Sequence, residues 1–210
     1  MRIYIVRHGQ TAWNKTLRWQ GNQDVLLDET GIAQVNALAE KLSPLSVSRI
    51  YSSPLKRAMV SAEILQKKIN ADIVYRRGLR EIHLGEWEGL TTNEIIVKYG
   101  GLYGEWEENP AAQIGLGVEN MSDLQQRAYL ELESINMCET DDFIIVAHGT
   151  WARCLLCKLL NIPLENRMSF EVGNGGINVV NYNKSKNSPR FTVVTLNDVS
   201  HIEKADKDHG

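Results

Sequence analysis

The chain has 210 residues, enough for one sizeable hydrophobic core, and at about 150 residues per domain a single domain is favoured over two equal ones. Hydrophobic residues make up 43% and charged residues 23%, as in an ordinary soluble globular protein. The net charge of −3 gives no basic field that could hold nucleic acid or an anionic membrane. No hydrophobic run approaches the ~20 residues of a membrane span, and the apolar start is too short for a secretion signal. Three cysteines are too few for a disulfide scaffold, so we expect a cytoplasmic protein. We also expect a monomer or homodimer.

Predicted strands and helices alternate along the chain. In chain order we predict a strand at 2–6, a helix at 30–42, a strand at 49–51, a helix that begins at Ser53-Pro54 and reaches residue 69, extended pieces at 72–75 and 79–84, a helix at 121–137, a strand at 143–147, a helix at 150–160, and closing strands at 177–182 and 191–196. The alternation predicts an α/β fold in three layers, with a mostly parallel sheet flanked by helices on both faces.

The stretch 86–118 is the least regular part of the sequence, with six glycines and four aromatic residues. We find no internal repeat and no linker rich in Ser, Pro or Gly. We therefore interpret this stretch as a lid inserted into a single domain that spans 1–203. The polar residues 204–210 are predicted to form a frayed C-terminal tail.

Cys154 and Cys157 form a C-x-x-C pair, which could indicate redox chemistry or half of a zinc site. Leucines surround the pair at helical spacing, and the sequence holds no second cysteine pair to complete a zinc site. We predict that both thiols pack in the core as small hydrophobic groups.

Two histidines share one local setting, since His8 and His148 each follow a predicted buried strand and precede a glycine. Ligands of α/β sheets bind outside the carboxyl ends of the strands. A single histidine is more often structural, but two in the same setting, with Arg7 beside the first, indicate a ligand site.

Arg57 falls in the first turn of a predicted helix, directly after a short strand. A cation is unfavourable there, so its position indicates an anion in the same crevice, unless it is a solvated surface arginine. Together, Arg7 and Arg57 could bind one phosphoryl group in planar, bidentate fashion. The acid segment is less selective, because periodicity cannot choose among Glu81, Glu86 and Glu88.

Four ordered segments resemble the signature of the histidine phosphatase superfamily, the phosphoglycerate-mutase-like proteins. They are Arg7-His8-Gly9-Gln10-Thr11 with Trp13-Asn14, Ser52 to Ala58, Glu81 to Thr91, and Val146-Ala147-His148-Gly149 with Arg153; Asn197-Asp198 and His201 are similar to the closing motif. The resemblance covers residues 1 to about 202 and implies a phosphoglycerate-mutase-like fold. Family members of this length include α-ribazole phosphatases and broad-specificity phosphatases, and the sequence does not choose among their substrates.

The resemblance also implies roles for single residues. His8 would be the nucleophile that becomes phosphohistidine, and Glu81 would give a proton to the leaving oxygen and then take one from water. The arginines and a charged His148 would stabilise the phosphoryl oxygens, so neither a metal nor another cofactor is expected. The residues implied to hold the phosphoryl group or to border the substrate are Arg7, Asn14, Gln20, Gly21, Arg57, His148 and Gly149.

The charge of the predicted lid bears on the reaction class. From 88 to 118, Lys98 is the single cation against five glutamates. Family mutases carry a longer insertion with basic residues here, so we predict a phosphatase for small phosphate monoesters with a neutral, apolar or cationic leaving group. Cofactor-dependent phosphoglycerate mutase-type transfer is the alternative. The candidates to line the pocket are Trp19, Tyr103, Trp106 and Trp151.

Two other classes compete with an enzyme of this kind. His8, His148 and Glu81 could form a metal site of two histidines and one carboxylate, but two nearby arginines would repel a dication. A non-catalytic protein that binds a phosphorylated ligand is the second rival, and it needs no reacting histidine.

Overall fold

The computed structural model describes residues 1–184 and 190–202, so the predicted tail at 204–210 lies outside the described residues. The strands are β1 (Arg2–Arg7), β2 (Arg49–Ser52), β3 (Asp72–Tyr75), β4 (Phe143–Ala147), β5 (Ile177–Tyr182) and β6 (Phe191–Asp198). The helices are α1 (Ala12–Lys15), α2 (Glu29–Leu42), α3 (Lys56–Ile69), α4 (Thr92–Glu108), α5 (Met121–Cys138) and α6 (Gly149–Leu160). None of the helices described is long and apolar enough to cross a membrane.

The six strands form one sheet in the order β3-β2-β4-β1-β5-β6. Strands β3, β2, β4 and β1 run parallel to one another, whereas β5 pairs antiparallel with β1 and β6 pairs antiparallel with β5. The predicted α/β fold with a largely parallel sheet is therefore confirmed, and the closing strand pair makes the sheet mixed.

Side chains of β1 alternate between two hydrophobic cores, as the two-residue period of a strand requires. Ile3 and Ile5 lie in one core with residues of α5 and α6, while Tyr4 and Val6 lie in the other with residues of α2 and α3. The sheet separates two helical layers, which is the predicted three-layer arrangement.

The register of β1 and β4 brings the two predicted site histidines together. These strands are parallel neighbours, and Arg7 at the end of β1 pairs with Ala147 at the end of β4. The following residues, His8 and His148, therefore leave the sheet side by side at its carboxyl edge. The backbone nitrogen of His8 still donates to the carbonyl oxygen of Ala147 at 3.1 Å.

Two predicted boundaries are wrong. Helix α3 begins at Lys56 with Leu55 as its N-cap, two residues after the predicted start at Pro54. The Ser53 hydroxyl accepts from the Leu55 nitrogen at 3.3 Å and also lies 2.8 Å from His148 Nε2. The stretch 79–84 is not extended strand, because carboxylates accept its backbone amides: Ile82 N bonds to Glu81 and His83 N to Glu119, both at 3.0 Å.

The stretch interpreted as a lid contains a regular helix, although its many glycines do not predict one. Helix α4 runs for 17 residues, and Thr91 and Glu94 form a capping box at its start. Its three glycines, Gly100, Gly101 and Gly104, lower helix propensity, and each faces open space. Burial of residues such as Trp106 in the core stabilises the helix despite these glycines.

Cys154 and Cys157 are fully buried on α6, which confirms the predicted core packing. Burial raises the pKa of the Cys154 thiol, so this thiol stays protonated and unreactive at neutral pH.

Candidate active site

A cavity of about 410 Å³ opens at the carboxyl edge of the sheet, where β1 and β4 end. Seven of the predicted site residues line it: Arg7, His8, Asn14, Gln20, Gly21, Arg57 and Glu81. His148 lies directly behind this wall, with its ring centroid 5.1 Å from that of His8. Gly149 is packed against the Arg7 guanidinium, because a Cβ at this position would lie 3.3 Å from Arg7 Nε. The structure thus gathers all nine predicted positions in one place.

The hydrogen bond of His8 fixes the state of its ring. Nδ1 lies 2.7 Å from the carbonyl oxygen of Gly9, which can only accept, so Nδ1 carries the proton and Nε2 carries a lone pair. The pKa of His8 lies well below its usual value, first because the ring is buried and then because Arg57 and Arg7 are close. At neutral pH the ring is therefore an uncharged imidazole whose unprotonated Nε2 carries the lone pair that a nucleophile needs.

Arg57 is buried and contacts the unprotonated nitrogen of His8. Its Nε lies 3.2 Å from His8 Nε2, and its two terminal nitrogens donate to the carbonyl oxygens of Gly21 and Gln23 at 2.7 Å each. Burial lowers the pKa of Arg57 to about 10, so it remains charged at neutral pH. The Arg57 guanidinium is thus bonded to a backbone loop through its terminal nitrogens and directed at His8 through Nε.

Arg7 contributes a second buried cation. Its Nη1 donates to the carbonyl oxygen of Val172 at 2.7 Å, while Nε is buried without a partner among the described residues. Burial lowers the pKa of Arg7 to about 10, which leaves it charged at neutral pH. A buried donor without a partner is unfavourable, and an anionic oxygen is the partner that suits a guanidinium best.

The surroundings of His148 oppose the charge expected on it. The ring is fully buried, and its pKa lies well below its usual value because of burial and then the Arg57 charge. Its Nε2 lies 2.8 Å from the Ser53 hydroxyl, and Nδ1 has no partner within the described part of the chain. His148 becomes a cation only when negative charge in the cavity offsets these effects.

The structure separates the three glutamates that the sequence left equivalent. Glu81 lines the cavity, and its carboxylate accepts from the backbone nitrogens of Thr150 at 3.0 Å and Trp151 at 2.9 Å. It therefore caps α6, whose own N-cap residue provides no side-chain bond. Glu86 accepts from the Tyr99 hydroxyl at 2.9 Å, and Glu88 bonds to the loop before Asp24.

Asn14 and Gln20 hold amide groups at the cavity wall. Asn14 Oδ1 accepts from the backbone and hydroxyl of Thr11 at 3.1 Å, so its amide hydrogens remain for another partner. Gln20 Oε1 is buried and unpartnered among the described residues. Gly21 has a positive φ of 49°, and a side chain there would collide with the carboxylate of Glu88.

Three further arginines, for which the sequence predicted no role, also line the cavity: Arg18, Arg153 and Arg167. Arg18 pairs with Glu94 at 2.8 Å, and Arg167 pairs with Glu107 at 2.5 Å. No described carboxylate lies within ion-pair distance of Arg153, whose Nε donates to the carbonyl oxygen of Phe170 in a long bond of 3.4 Å. The described residues of the predicted lid place no cation in the cavity lining, but arginines from outside the predicted lid do line it.

These arginines remove the reason for expecting a neutral leaving group. Arg153 belongs to the sequence motif that contains His148, so the sequence could have indicated it as a site residue. No sequence pattern around Arg167 indicates a role for that residue. Of the aromatic candidates, Trp19, Tyr103 and Trp106 line the cavity. Trp151 does not, because it is buried in the core and donates to the carbonyl oxygen of Gly78 at 2.9 Å.

The predicted metal-site alternative finds no matching geometry. Within residues 1–184 and 190–202, no cluster of three His, Cys, Asp or Glu side chains is arranged to hold a metal ion. The donors of that hypothesis have other partners: Glu81 accepts backbone amides, and His8 faces the Arg57 cation.

Residues 3–198 match the model of the histidine phosphatase superfamily, branch 1. The chain belongs to this superfamily. Phosphoserine phosphatase 1 of Hydrogenobacter thermophilus is 29% identical over 203 residues, which are 96% of this chain and 94% of that protein. Probable phosphoglycerate mutase GpmB of Salmonella paratyphi A is 28% identical over 205 residues, which are 97% of this chain and 95% of that protein.

Solved structures share the fold of this superfamily member. YhfR of Bacillus stearothermophilus superposes with a TM-score of 0.87 at 32% identity, covering 96% of this chain and 98% of that one. A candidate alpha-ribazole-5'-P phosphatase of Escherichia coli has the same fold, with a TM-score of 0.83 at 22% identity over 95% of this chain and 98% of its own. The family and the phosphoserine phosphatase relative support phosphatase activity for this chain.

Proposed function

We propose that this protein is a metal-independent phosphatase that hydrolyses small phosphate monoesters through a phosphohistidine on His8, with Glu81 as the proton donor. One observation carries the proposal. His8 has an unprotonated Nε2 in a cavity that also holds buried cations and a carboxyl group. A nucleophile, charge stabilisation and a proton donor are the three parts that phosphoryl transfer through a covalent intermediate requires.

In the first step, the Nε2 lone pair of His8 attacks phosphorus, and the bond from phosphorus to the ester oxygen breaks. Glu81, in its protonated form, gives its proton to that leaving oxygen, so an alcohol departs. Arg7 and Arg57 balance the negative charge on the phosphoryl oxygens. The Nδ1 proton stays on His8, held by the Gly9 carbonyl.

In the second step, a water molecule attacks phosphorus and gives a proton to the Glu81 carboxylate. The bond from phosphorus to Nε2 breaks, and its electron pair returns to the ring. The products are inorganic phosphate, His8 with a free Nε2, and a protonated Glu81 ready for another turnover. Each proton is accounted for without a metal-bound water.

The remaining residues that line the cavity decide which leaving groups fit. Trp19, Tyr103 and Trp106 provide an apolar surface. Arg153 adds a cation that has no described carboxylate within ion-pair distance, although the charges of Glu81 and Glu171 raise its pKa against the effect of burial. A leaving group that carries a carboxylate would supply the missing partner, since a guanidinium binds a carboxylate in planar, bidentate fashion. A phosphorylated acid would also suit mutase-type transfer, so the fate of the phosphoryl group must be measured.

The test is to trap the enzyme during turnover of ³²P-labelled substrate. The reaction is quenched in alkaline detergent, because a phosphorus–nitrogen bond hydrolyses in acid. We expect label on wild-type His8 and none on His8→Ala, with kcat reduced at least ~10³-fold in that variant. Full activity should persist after exhaustive chelation. Unlabelled wild-type protein that still turns over, or a His8→Ala variant with normal kcat, would refute the mechanism.

Phosphatase and mutase are separated by the product. With 3-phosphoglycerate and a bisphosphorylated donor present, a phosphatase releases inorganic phosphate and leaves no 2-phosphoglycerate. Accumulation of 2-phosphoglycerate faster than inorganic phosphate would contradict the hydrolase and favour the mutase.

A further inference from the structure

Glu88 is a buried carboxylate that the proposed mechanism does not use. Its side chain is only 6% exposed, and it does not line the cavity. Its Oε1 accepts from the backbone nitrogen of Asn22 at 2.8 Å, and its Oε2 accepts from Gln23 Nε2 at 2.8 Å. A buried carboxylate is unfavourable unless its oxygens are well bonded, and here both bond to one short loop.

That loop carries the two carbonyl groups that hold Arg57. Gly21 and Gln23 each accept from a terminal nitrogen of the Arg57 guanidinium at 2.7 Å. The remaining nitrogen, Nε, lies 3.2 Å from His8 Nε2. A continuous set of hydrogen bonds therefore runs from Glu88 through the loop and Arg57 to the nucleophilic atom of His8.

We propose that Glu88 is a positioning residue, which acts on His8 by holding the loop that fixes the Arg57 guanidinium. The proposal rests on the function proposed above, because it assigns Arg57 and His8 to the reaction. Reacting groups misplaced by about 1 Å can lose ~10² in rate, so a residue outside the cavity can control turnover in this way.

The close approach of the loop to Glu88 supports this role. Gly21 has its positive φ where the chain passes the Glu88 carboxylate, and a Cβ there would strike Oε1. Burial lowers the pKa of Arg57, whereas the negative charges of Glu81, then Asp24 and then Glu88 raise it. The Glu88 carboxylate thus orients the guanidinium through the loop and helps to keep it charged.

The experiment compares Glu88→Ala with Glu88→Gln, and uses Glu86→Ala as a matched control on the same segment. The Glu86 side chain is exposed, and within the described part of the chain its one hydrogen bond is accepted from the Tyr99 hydroxyl on α4. We expect Glu88→Ala to lower kcat between about 10-fold and 100-fold with little change in KM. Glu88→Gln keeps an oxygen for the Asn22 amide and should recover to within about 3-fold of wild type. Glu86→Ala should retain the wild-type kcat.

A double-mutant cycle with Arg57→Ala separates positioning from general stability. If Glu88 acts through Arg57, then Glu88→Ala should lower kcat less than about 3-fold in the Arg57→Ala background. An equal loss in both backgrounds, or a Glu88→Gln variant as slow as Glu88→Ala, would overturn the proposal. If Glu88→Ala does not fold, Glu88→Asp, whose shorter carboxylate cannot reach Asn22 and Gln23 together, carries the same cycle.

Failure of this inference differs visibly from failure of the proposed function. If wild-type His8 takes up no label during turnover, the phosphohistidine mechanism is wrong whatever Glu88 does. If His8 is labelled normally and Glu88→Ala keeps the wild-type kcat, only the positioning role is wrong.

Discussion

Glu81 Oε1 lies 2.9 Å from the backbone nitrogen of Trp151, so the proposed proton donor is bonded to the first turn of the helix that follows His148. A second bond joins Oε2 to the Thr150 nitrogen at 3.0 Å. The free N–H groups of α6 thereby orient the carboxyl group toward the cavity. Helix α6 thus both follows one site histidine and fixes the acid.

Glu81→Gln should distinguish substrates by their leaving groups. The amide keeps an oxygen for the Trp151 nitrogen but cannot transfer a proton. We expect kcat/KM to fall about 10²–10⁴-fold for glycerol 3-phosphate, whose alkoxide needs a proton to depart, and less than ~10-fold for p-nitrophenyl phosphate. Steady-state kinetics on both esters check this. Equal losses would show that Glu81 does not protonate the leaving oxygen.

Arg153 should select for an acidic leaving group. The matched substrates are 3-phosphoglycerate and glycerol 3-phosphate, which differ by a carboxylate in place of a hydroxymethyl group. Arg153→Gln should lower kcat/KM for 3-phosphoglycerate by roughly 10-fold to 100-fold and for glycerol 3-phosphate by less than about 3-fold. Arg18→Gln is the control, since Arg18 already pairs with Glu94. A common loss on both esters would contradict the assignment.

Gly100 and Gly104 should be replaceable by alanine with a gain in stability. A Cβ at either position in α4 meets nothing within 4 Å, and alanine is the better helix former by about 0.5–1 kcal/mol. Urea unfolding should show this increase in the free energy of unfolding. Gly9→Ala is the contrasting variant and should be destabilised, because its Cβ would collide with the Gly31 carbonyl oxygen. A loss of stability in the α4 variants would contradict the helical environment.

The three buried histidines should make the fold sensitive to mild acid. Burial holds the pKa values of His8, His148 and His201 below the ordinary value of 6.5. Below pH 6.5 the unfolded chain binds protons that the folded protein does not, so stability falls as the pH drops. Each histidine contributes at most about 1.4 kcal/mol per pH unit. Urea unfolding from pH 7.5 to 5.5 should show this decline, and His148→Gln should reduce its slope; a flat profile would refute the assignment.

Much of the fold follows from hydrophobic patterning. The buried strand at 143–147 and the helix after it have the predicted bounds to within a residue, because a continuous apolar run followed by a glycine suits few other structures. The predicted start of α3 is two residues early because the Ser53-Pro54 signal is local, whereas the Ser53 hydroxyl also bonds to His148, which follows β4. Helix α4 was not predicted, because its glycines lower the helix propensity and the sequence does not show that burial of its apolar residues compensates.

The sequence predicted which residues would meet at the site, but it did not predict the contacts that hold them there. The paired strand ends indicated that His8 and His148 would share one edge of the sheet. Nothing in the spacing showed that Arg57 would be bonded to loop carbonyls, or that Arg153 would lie without a carboxylate partner. Both facts depend on contacts between segments far apart in the chain.

The register that sets Arg7 against Ala147 has a consequence for biosynthesis. The two halves of the pocket belong to strands separated by most of the chain, so a nascent polypeptide cannot assemble the pocket until β4 has left the ribosome. Such distant pairings close slowly, because loop entropy opposes them until the whole sheet can form. Recovered turnover after dilution from denaturant will consequently report the completed sheet, and no amino-terminal fragment that stops short of β4 will regain it.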